Sequence, residues 1–349
     1  MSLRNLSPVL WIAFFLCVLE VGLEVRAARR GWGTLLFGAE NAGEGQQASG
    51  EFGPTDAFPF RSRIVAAERA RDSARLWIAS SSYAEDKRIP ATQIFPNRLE
   101  QLLRDGGCAV QVLNASRNGY TTASNLSVLR ESGAQWQPDV CVLYQMTNDV
   151  DWITNTLLTP GADPEANIGP DSASASKARD IGWIEEVSEE TTIFSVLKSN
   201  LTSRLSAGRI LVDELPPRAQ QAFEAYVHAF IDESLKLGAR PVLCTFATRH
   251  TRLTEDQVPE SVALALRRVN LYLSMRGWID SVQTFNDVVC RVAAERDVTL
   301  IDVASAIADK HKHFRDFSHF QETGHAIVAQ TMYAVLSELP RLQREGAGD

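Results

Sequence analysis

Five short apolar runs recur along this chain, each closed by small or polar residues. Leu76–Ala79 is the first; Ala109–Leu113, Pro138–Tyr144, Arg240–Phe246 and Val298–Asp302 follow. Apolar runs of this length, rich in β-branched residues, read as buried strands. Pro138–Tyr144 is the most continuous and is expected near the middle of the sheet. The segments between them carry apolar residues at helical spacing. Phe95–Leu103 ends at Gly106-Gly107, and Ala123–Glu131 follows a polar loop. Pro217–Leu237 puts Phe223, Tyr226, Val227, Phe230 and Ile231 on or near one face and stops at Gly238, the usual place for a terminating glycine. Val269–Met275 and Val282–Glu295 also read as helices, and a polar loop from Asp316 runs into a last helix reaching Leu336. Strands alternating with helices predict an α/β fold: a three-layer α/β/α sandwich around a mainly parallel five-stranded sheet.

The ends follow a different pattern. Leu6–Val25 is the most apolar stretch, centred on Val9–Leu19, with Glu20 and Glu24 one helical turn apart in its second half. It reads as an uncleaved membrane anchor, ahead of a cleaved signal or a docked amphipathic helix. Arg26, Arg29 and Arg30 outweigh Arg4 and the amino terminus, and by the positive-inside rule they would keep the body of the protein in the cytoplasm. Gly31–Pro59 is rich in Gly, Ala, Glu and Gln without periodicity and reads as a linker. The expected organisation is an anchor over 1–30, a linker over 31–60 and one domain over 61–349. A polar insertion at Thr159–Lys177 interrupts that domain after the third strand.

Charge and cysteine usage remove several functions. The net charge is −8 and no basic cluster stands outside the N-terminal flank, which argues against nucleic acid. Six histidines and five cysteines are scattered without metal-ligand spacing, so no metal is expected. Cysteines in apolar patterns read as buried free thiols.

The chemistry is sought where the strands end, because open α/β sheets bind ligands at that edge. Ser80, Ser81 and Ser82 follow the first strand directly, so one of them is a candidate nucleophile, although a serine there is also a common helix cap. A serine needs a base. His319 qualifies because Asp316, three residues earlier in a tight loop, can reach Nδ1–H and leave Nε2 facing a hydroxyl. His325 lies within the following helix, and His311 and His313 alternate with lysine, which favours packing or solvation for all three. Gly119 after the second strand and Asn148 after the third are candidate donors to an oxyanion, or simple turn residues. Arg249 and His250, after the fourth strand, could shape a pocket.

Taken in order, these stretches resemble the four blocks of the SGNH/GDSL hydrolases. Ile78-Ala-Ser-Ser-Ser82-Tyr-Ala-Glu85 is similar to the first block, and the distances to Ile89-Pro90 and Phe95-Pro96 favour Ser82 as the nucleophile. Val112-Leu-Asn-Ala-Ser-Arg-Asn-Gly119-Tyr resembles the second, Met146-Thr-Asn148-Asp149 the third, and Asp316-Phe-Ser-His319 with Gly324 the last. Two positions depart from the pattern: Ser80-Ser81 stands for the family's Gly-Asp, and Met146 for its glycine. The resemblance implies a flavodoxin-like fold, a Ser82–His319–Asp316 triad with Gly119 and Asn148 in the oxyanion hole, and no cofactor. It further implies hydrolysis or transfer of an O-acyl group, with an acylated carbohydrate or envelope polysaccharide as substrate. Membrane-tethered bacterial members place such a domain on the extracytoplasmic side. A lipid-directed esterase or thioesterase, and a non-catalytic polysaccharide-binding domain, are the alternative readings.

Overall fold

The computed structural model describes residues 73–159, 211–259 and 269–342, and, outside these, 15, 18, 19, 21, 22, 52, 58, 60–62, 69, 168–170, 262, 263 and 266. In chain order the elements are β1 (Ala74–Ala79), α1 (Ser82–Glu85), α2 (Phe95–Asp105), β2 (Val110–Asn114), α3 (Thr122–Trp136), β3 (Val140–Leu143) and α4 (Thr147–Leu158). Then come α5 (Pro217–Lys236), β4 (Arg240–Cys244), α6 (Met275–Glu295), β5 (Thr299–Ile301), α7 (Val303–Ile307) and α8 (Glu322–Leu336). All five strands pair in parallel in the order β2-β1-β3-β4-β5. Every residue of β1 and β3 is buried, as expected of strands covered on both faces. The helices form two packed groups, α2 and α7 with α8, and α3, α4 and α6 with α5. The predicted three-layer, flavodoxin-like arrangement is therefore observed.

This strand order creates the ligand-binding edge. The chain leaves β1 for β2 on one side and then crosses to β3 on the other. The loops after β1 and β3 thus diverge and open a crevice at the carboxyl ends of these neighbours. Ser82 stands just beyond β1, and Asn148 in the first turn of α4 just beyond β3.

Helix α4 is not expected from the sequence, and two further stretches differ from expectation for identifiable reasons. β1 begins at Ala74, two residues early, with Arg75 in its interior although only 2% exposed. Its guanidinium donates to the Trp136 carbonyl (2.8 Å) and Gln111 Oε1 (3.1 Å), so the buried charge keeps its hydrogen bonds. Val269–Met275 is not a helix. Asn270 Oδ1 accepts the Leu273 N–H (2.8 Å) and the Tyr272 N–H (3.2 Å), holding that backbone in a turn. Ser274 then caps the next segment by accepting the Gly277 N–H (3.0 Å), so α6 starts at Met275.

Cys108, Cys141 and Cys244 are buried free thiols, and Cys290 is free and exposed. Phe58 and Phe60, in the span read as linker, are buried, with Phe58 edge-on to Trp77 and Trp136. Among the described residues no helix is long and apolar enough to cross a membrane. The stretch read as an anchor, and the Thr159–Lys177 insertion, lie almost wholly outside the described residues.

Candidate active site

The three serines after β1 have three different fates. Ser80 Oγ donates to the Tyr144 carbonyl (2.6 Å), stitching β1 to β3. Ser81 Oγ is buried without a partner among the described residues. Ser82, first residue of α1, places its Oγ 2.8 Å from Nε2 of His319.

His319 comes from a closed loop before α8. Phe314 and Phe320 form an antiparallel bridge at its neck, and the Arg315 N–H donates to the His319 carbonyl (2.8 Å). Inside it, Asp316 Oδ1 accepts the backbone N–H groups of Ser318 (3.0 Å) and His319 (2.8 Å), a side-chain turn that explains the three-residue spacing. Oδ2 lies 2.9 Å from His319 Nδ1. Partial burial opposes the charge on Asp316, but His319 and the two backbone donors outweigh it and hold the carboxyl below its ordinary range. An ionised carboxylate only accepts, so Nδ1 carries the proton and the Nε2 lone pair faces Ser82. Gly324 lets α8 press against this loop: a Cβ there would stand 2.5 Å from the His313 carbonyl and 2.9 Å from Phe320 Cβ.

The loops after β2 and β3 hold the other two candidates. Gly119 has φ +74°, the left-handed region where a side chain is strained. Among the described residues its N–H, like that of Ser82, donates to no other group. Asn148 uses one amide hydrogen on the Tyr120 carbonyl (2.9 Å), which fixes the amide against the loop of Gly119 and leaves the second hydrogen available. Met146 is fully buried, and its φ of −165° lies outside the left-handed region that favours glycine.

Several supporting residues were not legible in the sequence as parts of the site. Asp149, fully buried, accepts from the Thr122 N–H (2.8 Å), Thr122 Oγ1 (3.1 Å) and Gln145 Nε2 (3.1 Å), tying the loop after β2 to that after β3. Burial pushes its pKa up to about 7 against those donors. Asp86, closing α1, pairs with Arg315 (3.2 Å), anchoring the nucleophile turn to the histidine loop. Arg61 donates to the carbonyls of Glu85 (2.7 Å), Asp86 and Ile89 (2.7 Å). Tyr83 stacks on the His319 ring, with centroids 4.9 Å apart.

The remaining histidines are structural or peripheral. His325 is buried, its Nδ1 accepting the Phe95 N–H (3.2 Å). His250 is buried with its ring 4.4 Å from that of His311, and His313 Nδ1 lies 2.9 Å from Thr323 Oγ1. The Arg249 N–H donates to the Phe317 carbonyl (2.9 Å), joining the loop after β4 to the histidine loop. Glu224, His228 and Glu295 come together near the surface, but Arg291 pairs with both glutamates.

No protein-family model and no curated protein matches the chain. Among solved structures it is similar to LAE5, an alpha/beta hydrolase enzyme from the metagenome of Lake Arreo. Identity there is 12% and the TM-score 0.46, over 77% of this chain and 96% of that one. It is also similar to a lipolytic protein of the G-D-S-L family from Veillonella parvula (12% identity, TM-score 0.44, 76% of this chain and 100% of that one). A third is a catalytic mutant of Axe2, an acetylxylan esterase from Geobacillus stearothermophilus (12% identity, TM-score 0.45, 80% and 98%).

Proposed function

We propose that this chain is a serine ester hydrolase of the SGNH/GDSL type. The observation that carries the reading is the Ser82 Oγ to His319 Nε2 contact of 2.8 Å, backed by Asp316 at 2.9 Å on Nδ1. In this reading His319 takes the Ser82 proton as Oγ attacks the ester carbonyl, and Asp316 stabilises the imidazolium. The Ser82 and Gly119 N–H groups and the Asn148 amide receive the oxyanion. His319 then returns the proton to the departing alcohol, leaving an acyl-serine. Water, deprotonated by His319, releases the acid and restores Ser82. No cofactor takes part in these steps.

The proposed substrate is an O-acyl ester of a carbohydrate. Asp151 lies one turn beyond Asn148 on α4, with Oδ1 held by Asn270 Nδ2 (2.8 Å) and Trp278 Nε1 (3.2 Å). Its other oxygen accepts nothing among the described residues, and burial pushes its pKa up to about 7, so near neutral pH it can accept from or donate to a hydroxyl of a polyol leaving group. The apolar stretch 6–25 supports a tethered enzyme, and its domain is read as extracytoplasmic despite Arg26, Arg29 and Arg30, because long domains cross regardless of modest flanking charge. The test is turnover of p-nitrophenyl acetate and of O-acetylated oligosaccharides by the full chain and by Ser82→Ala. Activity on both, lost in the variant, is expected. A folded wild-type chain inert to both would overturn the reading, and activity confined to lipid esters would overturn its substrate.

A further inference from the structure

Beside the proposed nucleophile stands a side chain that touches the loops after β3 and β4 and the histidine loop. Tyr83 is fully buried, and its ring lies 28° from parallel with the His319 imidazole at 4.9 Å. It also meets Phe246, a buried residue of the loop after β4, edge-on at 4.7 Å, so the ring packs against both the histidine and the core. Its hydroxyl bonds to Thr147 Oγ1 and lies 3.3 Å from Ser318 Oγ. Thr147 directly precedes the candidate oxyanion residue Asn148, and Ser318 directly precedes His319. Tyr83 itself directly follows Ser82.

We propose that Tyr83 is the positioning residue of this site, holding the His319 ring in register with Ser82 and Asn148. The inference rests on the esterase reading above and adds the part that aligns its members. The phenol is no acid or base here, since burial pushes its pKa far up and keeps it protonated. Two effects remain. The aromatic face fixes the plane of the imidazole and favours its cationic form during proton transfer. The hydroxyl holds the two loops that carry Asn148 and His319 at a fixed separation.

The test uses full-length chain with 15N-labelled histidine, its His319 signals assigned by their loss in His319→Gln. Stacking on Tyr83 moves the His319 ring protons upfield, and the bond to Asp316 protects Nδ1–H from exchange. Tyr83→Phe is expected to keep the ring-proton shift while lowering kcat about fivefold, the worth of a lost hydrogen bond. Tyr83→Leu is expected to abolish the shift, speed Nδ1–H exchange and lower kcat about 10- to 100-fold, with KM within about twofold of wild type. Thr147→Val should reproduce the Tyr83→Phe loss, and together they carry the test if Tyr83→Leu does not fold. Unmoved His319 signals in Tyr83→Leu, or wild-type kcat in an active enzyme, would overturn the proposal. A wild-type chain that hydrolyses nothing, yet whose His319 signals move in Tyr83→Leu, would sink the esterase reading and leave the positioning role standing.

Discussion

Replacing Asp86 by asparagine should cost stability at neutral pH, and the cost should fade in acid. The carboxylate is 3% exposed, 3.2 Å from an Arg315 nitrogen, 3.6 Å from His325 Nε2 and 3.2 Å from the Arg88 N–H. Burial alone would push this carboxyl up, but His325 and Arg315 more than offset it and bring the pKa to about 2. His325 is itself held neutral by burial, and its Nδ1 accepts from Phe95, so Nε2–H points at Asp86. The folded state thus binds the Asp86 proton more weakly than the unfolded chain, where the pKa is about 3.9. Stability from this group is present above that ordinary value and is lost as pH falls through it towards about 2. At about 1.4 kcal/mol per tenfold in proton affinity, the gap amounts to roughly 2.6 kcal/mol, or about 5 °C in Tm for a domain this size. Urea denaturation of wild type and Asp86→Asn should show a deficit of roughly 2.6 kcal/mol at pH 7 that narrows by about half near pH 3. A constant deficit from pH 7 to pH 3 would refute the charge argument and leave only lost packing.

Asp149 titrates in the opposite sense. Its pKa is pushed up to about 7, so the folded state keeps a proton the unfolded chain gives up, and stability falls as pH rises from about 4 through about 7. Gln145 Oε1 has no partner among the described residues and, after an amide flip, can accept from an asparagine at 149. Asp149→Asn should therefore fold and flatten the stability difference between pH 5 and pH 8; an unchanged slope would count against the assignment. Asn148→Ala should lower kcat on the order of a hundredfold with little change in KM, and a loss below about threefold would remove Asn148 from the oxyanion hole. Gly324→Ala should destabilise by about 1–3 kcal/mol, since the added Cβ meets backbone at 2.5 Å and cannot displace it easily. An unchanged melting temperature would contradict that contact.

How much of this was legible in the sequence depends on the range of the forces involved. Strands such as Val140–Leu143 announce themselves because burial on both faces demands an unbroken apolar run. The Asp316–His319 pair was readable because a three-residue turn brings its members together locally. Arg75 hid two residues of β1, since the partners that make its burial tolerable lie far along the chain at Gln111 and Trp136. Val269–Met275 misled because its apolar content satisfies helical spacing while Asn270 captures the backbone N–H groups first. Tyr83, Asp86 and Asp149 act by linking loops that only the folded sheet edge brings together. No periodicity or local spacing encodes such links.

The most direct test of the central claim is covalent labelling of the full-length chain with a fluorophosphonate, with the modified residue located by mass spectrometry. An activated serine at the end of β1 predicts an adduct on Ser82 that is absent in Ser82→Ala and forms far more slowly in His319→Ala. A folded wild-type chain that takes no label, or a label that survives Ser82→Ala, would contradict the account.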